Sequence, residues 1–256
     1  MLDKTHLLYM LISGLIGACL LIGLRILGRE RVNRTVLALC AILTIALHYS
    51  PLWVDFLKTG TATVSRTMLF LIHPCHICMW LLLLSVLFLD KDNVAARLLK
   101  DFTFFGGTVC GAIGTILNEN YANTPDLGDY VVLKGLLSHS VMVCGCILLL
   151  TAGYVKIRVG RDLAAVAAGL TLFVLDGLFI NWLFAHFDLP ACNAMYLQNP
   201  PYPSMPWLNA AFIGGVALLV TFLVSALYEQ LALPPEERWY RRLFSLLNKH
   251  THTESK

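Results

Sequence analysis

The chain has 256 residues, of which 57% are apolar and only 14% charged, with a net charge of +3. Soluble domains carry about a quarter charged residues, so a water-soluble globule is excluded and lipid is the solvent for most of this chain. The small net charge, with no basic stripe or nucleic-acid motif, leaves no footprint for nucleic acid, and the length suits one helical bundle without a separate soluble domain.

A membrane crossing takes roughly 20 apolar residues, and lipid satisfies no backbone hydrogen bonds, so the crossings are helices. The first run, 7–27, is too long for a signal peptide and ends in Arg25-Ile26-Leu27-Gly28-Arg29 without a cleavage site. Runs at 36–56, 67–89, 102–117, 131–154, 163–183 and 207–228 follow, of which 102–117 is the shortest. The expected architecture is an all-α bundle of seven transmembrane helices over 1–232, followed by a cytoplasmic tail, 233–256. In that tail Trp239, Leu243, Phe244 and Leu247 share one face of a helix lying on the inner leaflet.

Lys and Arg set the orientation. Arg25, Arg29, Arg31 and Arg34 follow the first run, Lys91, Arg97 and Lys100 the third, and Lys156, Arg158 and Arg161 the fifth. The tail adds Arg238, Arg241, Arg242, Lys249 and Lys256, whereas the other side has Lys4, Lys58 and Arg66. The N-terminus is therefore expected outside and the C-terminus in the cytoplasm, in a bacterial plasma membrane or an internal eukaryotic one. The sequon Asn33-Arg34-Thr35 then faces the cytoplasm and should stay unmodified.

Ionisable residues inside spans are rare and costly, and each is a candidate site. With this orientation His48, Cys75, His139 and Asp176 fall at one depth on four helices, roughly 12 Å below the outer edge at 1.5 Å per residue. Lys134 and Asn181 lie nearer the surface. The alternative is structural: a lone His donates to a neighbouring carbonyl, and Asp176 pairs with Lys134 or Asn181.

The sharpest motif is His73-Pro74-Cys75-His76-Ile77-Cys78. Proline suits the first turn of a helix, so a helical segment is expected to start at Pro74, with 67–73 an approach turn or a kinked half-helix. Cys75 then sits among free N–H groups that favour a thiolate and could hold an oxyanion. His139 is the better-placed base, because the His76 ring leaves the helix about 100° away from Cys75. The competing reading is a kinked span with buried thiols. Eight cysteines, most of them inside apolar runs, do not describe a disulfide scaffold.

Three segments in order carry a resemblance: Leu71-Ile72-His73-Pro74-Cys75-His76, Leu137-Ser138-His139-Ser140, and Cys192-Asn193-Ala194-Met195-Tyr196 ahead of Pro206-Trp207. Together they resemble the transmembrane protein 164 acyltransferases of eukaryotes and their short bacterial relatives, the YwaF-type integral membrane proteins. That family's fold is similar to that of the androgen-induced fatty-acid-ester hydrolases, where Thr replaces the Cys. The resemblance implies a lipid acyltransferase with Cys75 as nucleophile and His139 as base. It implies no cofactor, a phospholipid acyl donor and a lysophospholipid acceptor. His73 stands where the eukaryotic enzymes have Asn. His73, His76, His48, Asp176 and Asn181 are pocket candidates, with Asp176 or Asn181 expected to orient His139 as third members of such triads do.

Two rival functions remain open. Cys75 and Cys78 form a C-x-x-C motif suited to a quinone-coupled thiol-disulfide oxidoreductase, with Cys192 in an outer loop as shuttle. A non-enzymatic receptor, lipid-binding or transport protein also has such spans. Metal binding by His73, Cys75, His76 and Cys78 is disfavoured, because they cannot all face one point on a regular helix.

Overall fold

A computed structural model of the protein describes residues 3–62, 64–202 and 204–243. The described residues are helical apart from turns and loops. Phe244 and Leu247, half of the expected tail face, lie outside the described residues. Among the described residues, six helical segments are long and apolar enough to cross a membrane, which makes this an integral membrane protein.

Helix α1 (Lys4–Leu27) starts at Asp3, whose side chain accepts from His6 N at 2.8 Å, and stops at Gly28, where φ is 61°. Most of its surface faces lipid. Polar ties among the described residues hold it: Tyr9 to Ser140 (3.0 Å), His6 Nε2 to Thr115 O (2.8 Å) and Tyr121 OH to the Asp3 cap (2.7 Å).

Helix α2 (Glu30–Thr59) is a single helix despite Pro51. Proline offers no N–H to the carbonyl four residues back. Ser50 Oγ donates to that carbonyl, Leu47 O, at 2.6 Å. A bond that lipid could not replace is thereby restored.

The third run is broken as its proline demands. Helix α3 (Arg66–Leu69) ends at Phe70 in extended backbone, and α4 (Pro74–Leu87) restarts with Pro74 in its first turn. His73 is its N-cap, with φ −112° and ψ 149°.

Helix α5 (Val94–Ile116) departs from the expectation of a short run at 102–117 and begins eight residues earlier. Its first turns carry Arg97, Lys100 and Asp101, which keep it out of the six apolar segments. Lys100 and Asp101 are buried and find their partners inside the protein. Lys100 Nζ donates to Leu89 O (3.2 Å) and Lys91 O (3.1 Å), and Asp101 pairs with Arg161 at 2.5 Å. Apolarity is a poor guide to α5 because protein surrounds it: it packs on α4, α7 (Tyr130–Thr151) and α8 (Val159–His186).

Gly107, Gly111 and Gly114 let α7 approach α5 closely, as small residues do in membrane helix pairs. A Cβ at Gly107 would overlap Cys146 Sγ, and one at Gly111 would come within 3.2 Å of His139 O.

The short α6 (Glu119–Asn123) links α5 to α7. Beyond α8 the chain makes a 3-10 turn at Ala194–Tyr196 before α9 (Ala210–Ala232), which Asn209 caps by accepting from Phe212 N at 3.0 Å. At the far end of α9, fully buried Glu229 accepts from Val159 N (2.9 Å) and Trp239 N (2.5 Å), and pairs with Arg242 (2.5 Å).

Candidate functional site

Cys75 is the second residue of α4. Its sulfur lies close to the N–H groups of Cys75 and His76, the free donors of a helix start. The side chain is half-buried. On α5, Cys110 lies beside both Cys75 and Cys78.

The histidines gather above this turn. The His76 ring, 7% exposed, is 4.5 Å from that of His48 and 5.0 Å from that of His73. His73 in turn stacks on Tyr196, with centroids 5.3 Å apart at 24°. His48 Nε2 donates to Thr67 O at 3.2 Å, and Tyr49 OH donates to Met68 O at 3.1 Å, which pins α3 to the C-terminal half of α2. The buried Nδ1 atoms of His73 and His76 have no hydrogen-bond partner among the described residues.

His139, on α7, is held by its own helix. Its Nδ1 bonds Gly135 O at 2.7 Å. A carbonyl only accepts, so Nδ1 carries the proton and Nε2 keeps its lone pair. The ring lies against α5 at Gly114, where a Cβ would overlap it. Cys110 and Gly114 are four residues apart, on one face of α5 and about 6 Å along its axis. Cys75 and His139 therefore meet the same strip of α5, one helical turn apart. They make no hydrogen bond to each other in this structure. His139 also lies within electrostatic range of His48, His73 and His76.

His48, His73, His76 and His139, carried by α2, the start of α4 and α7, thus come near one another. The buried Oδ2 of Asp176, on α8, has no hydrogen-bond partner among the described residues, and it pairs with neither Lys134 nor Asn181. Asn181 is committed elsewhere. Its Oδ1 accepts from Ala194 N (2.9 Å), and its Nδ2 donates to Ala194 O (3.4 Å). Neither residue orients His139, which the expectation of a third triad member required; the Gly135 carbonyl orients it, because a helix supplies that acceptor locally.

Cys78 is fully buried and packs at Gly107 beside Cys146. Among the described residues, no three His, Cys, Asp or Glu side chains stand in an arrangement that could hold a metal ion.

Tyr196, named only within the third segment of the resemblance, and Gly114 were not among the pocket candidates. Tyr196 reaches the site because the 193–197 segment folds back over α4. Met195 N donates to Ile72 O at 2.8 Å, just before the His73 cap. Met195 and Tyr196 have φ of 53° and 55°, in the left-handed region that costs non-glycine residues energy. Asn193 Oδ1 accepts from Gln198 N and Asn199 N, both at 3.1 Å, and helps to hold this shape. The stripe of glycines at 107, 111 and 114 was the available signal for the α5–α7 approach.

Outside the spans, two carboxyls are shifted. The His6 N–H, then the Tyr121 hydroxyl, hold the Asp3 carboxyl below the usual carboxylate range. Arg34 does the same for Asp90, with bonds of 2.5 and 2.8 Å.

No curated protein and no solved structure matches the chain. One family model does, the TMEM164 family, over residues 1–228. That span takes in the α4 turn, His139 and the Asn193–Tyr196 segment, and the chain belongs to the TMEM164 family.

Proposed function

We propose that the protein moves an acyl chain between glycerophospholipids through a thioester on Cys75, with His139 as the base. In this reading the chain crosses the membrane seven times, with α5 as the fourth crossing. At 23 residues α5 is about 34 Å long, enough to span. The N-terminus is then outside and the C-terminus cytoplasmic, as the Lys and Arg distribution favours.

The observation that carries the reading is the placement of Cys75 and His139 on one strip of α5. The thiol sits among helix-start donors and the imidazole has its Nε2 lone pair free. His139 Nε2 takes the Cys75 proton, and the thiolate attacks the donor's ester carbonyl. The C–S bond forms and the C–O bond breaks. The leaving lysolipid takes the proton from His139, and first-turn N–H groups hold the oxyanion. The acceptor hydroxyl then gives its proton to His139 and attacks the thioester, which restores the Cys75 thiol. Catalytic hydrogen bonds commonly tighten only when substrate is bound. Low water in the site favours transfer over hydrolysis.

Purified protein in nanodiscs, given a phospholipid with a labelled acyl chain and an unlabelled lysophospholipid, tests this. Label should move to the acceptor in the wild type. Cys75→Ala should abolish transfer, and His139→Ala should slow it by about 10²–10⁴-fold, the usual contribution of a general base. Cys78→Ala should change it little. Transfer that survives Cys75→Ala would overturn the proposal, and equal dependence on Cys78 would favour thiol-disulfide exchange.

A further inference from the structure

A groove of about 480 Å³ opens between α8, the 196–200 segment and the first turn of α9, within the usual range of ligand clefts, about 300–1,000 Å³. Val174 of α8 and Ala211 of α9 line it, with the exposed amides Gln198, Asn199 and Asn209 towards the surface and the half-buried Tyr196 towards the protein interior. No Asp, Glu, Lys or Arg lines it.

The walls belong to lipid-facing helices. Val174 is 43% exposed and the neighbouring Phe212 46%, so exposed apolar side chains of two spanning helices flank the groove. Its inner end is one ring from the cluster, because Tyr196 stacks on His73, the cap of the helix that bears Cys75. The segment that forms this end is held firmly despite its left-handed residues. Gly177 allows it to lie flush on α8: a Cβ there would come within 2.7 Å of Leu197 Cδ1 and 3.0 Å of Ala194 O.

We infer that this groove is the lateral entry site for one acyl chain of a glycerophospholipid, with Tyr196 as the gate between it and Cys75. The occupant follows from the chemistry of the lining. Apolar side chains of two spanning helices suit a hydrocarbon chain. Three neutral amides towards the surface suit the ester carbonyls of the glycerol end, and the lack of charge gives an ion or a charged peptide nothing to pair with. The inference deepens the acyltransferase reading and rests on it for the role of Cys75.

The test is photo-cross-linking in nanodiscs with a phosphatidylethanolamine that carries a diazirine in one acyl chain, followed by peptide mapping. Adducts should concentrate on the segments holding Val174 and Ala211, well above those on the lipid-facing surface of α1. Ala211→Trp and Val174→Trp, one on each flanking helix, should each cut groove adducts about tenfold, a 1.4 kcal/mol effect, and leave α1 adducts unchanged. Unchanged α1 labelling and elution volume identify variants that still fold. Tyr196→Ala should carry adducts inward to the α4 turn. Uniform labelling of all lipid-facing helices, or groove adducts that ignore both Trp variants, would overturn the inference. Cys75 acylation without groove adducts sinks the groove alone. Groove adducts without any Cys75 acylation sink the acyltransferase reading and leave the groove standing.

Discussion

At the scale of single residues, Gly114 is the most telling position. The His139 ring occupies the space where any larger side chain would begin. Gly114→Ala should cost about 1–3 kcal/mol of stability by overpacking. By shifting the ring about 1 Å it should also lower acyl transfer by about 10²-fold. Thermal unfolding in detergent, read beside the transfer assay, separates the two effects. Asn181→Ala removes both bonds that hold Ala194. Met195 and Tyr196 should then relax from φ of 53° and 55°, and hydrogen exchange across 193–199 should rise. Asp3 gives a pH test. Its carboxyl is held below its ordinary range by His6 N–H and Tyr121. A depressed carboxyl contributes stability above its unfolded pKa, about 3.9, and loses it as pH falls through the folded value. Exchange in the first turn of α1 should therefore accelerate below about pH 4, and Asp3→Ala should make it fast at every pH.

At the scale of elements, the two prolines show how far a sequence pattern reaches. Pro74 is legible as a helix start because proline lacks the donor that a first turn does not need, and α4 begins there. Pro51 lies inside the 36–56 run and removes a donor, yet α2 continues because Ser50 replaces that donor at Leu47 O. Ser50→Ala should leave that carbonyl unpaired and destabilise α2 by about 1–3 kcal/mol, seen as a lower melting temperature. The charged start of α5 was not legible. Hydropathy treats Lys100 and Asp101 as ends of a run, whereas distant partners, the Leu89 carbonyl and Arg161, make them interior. For the same reason the sequence pointed to Asp176 and Asn181 as neighbours of His139. Depth in the membrane places residues in a layer but does not say which way a side chain turns around its helix. The Gly135 carbonyl that orients His139 is backbone, and no residue type announces it.

At the scale of the whole molecule, composition sufficed for the membrane bundle, and the three segments around Cys75, His139 and Tyr196 together sufficed for the family. What required coordinates was the convergence: α5 as a glycine-faced spine, α4 and α7 against it, and the 193–197 segment folded back onto the start of α4. The most direct measurement of the central claim is the mass of the intact protein after incubation with a phospholipid and no acceptor. The account predicts an added acyl mass that maps to Cys75, is released by hydroxylamine as thioesters are, is absent in Cys75→Ala and forms slowly in His139→Ala. A folded, lipid-loaded protein that never gains this mass, or gains it on another residue, would contradict it.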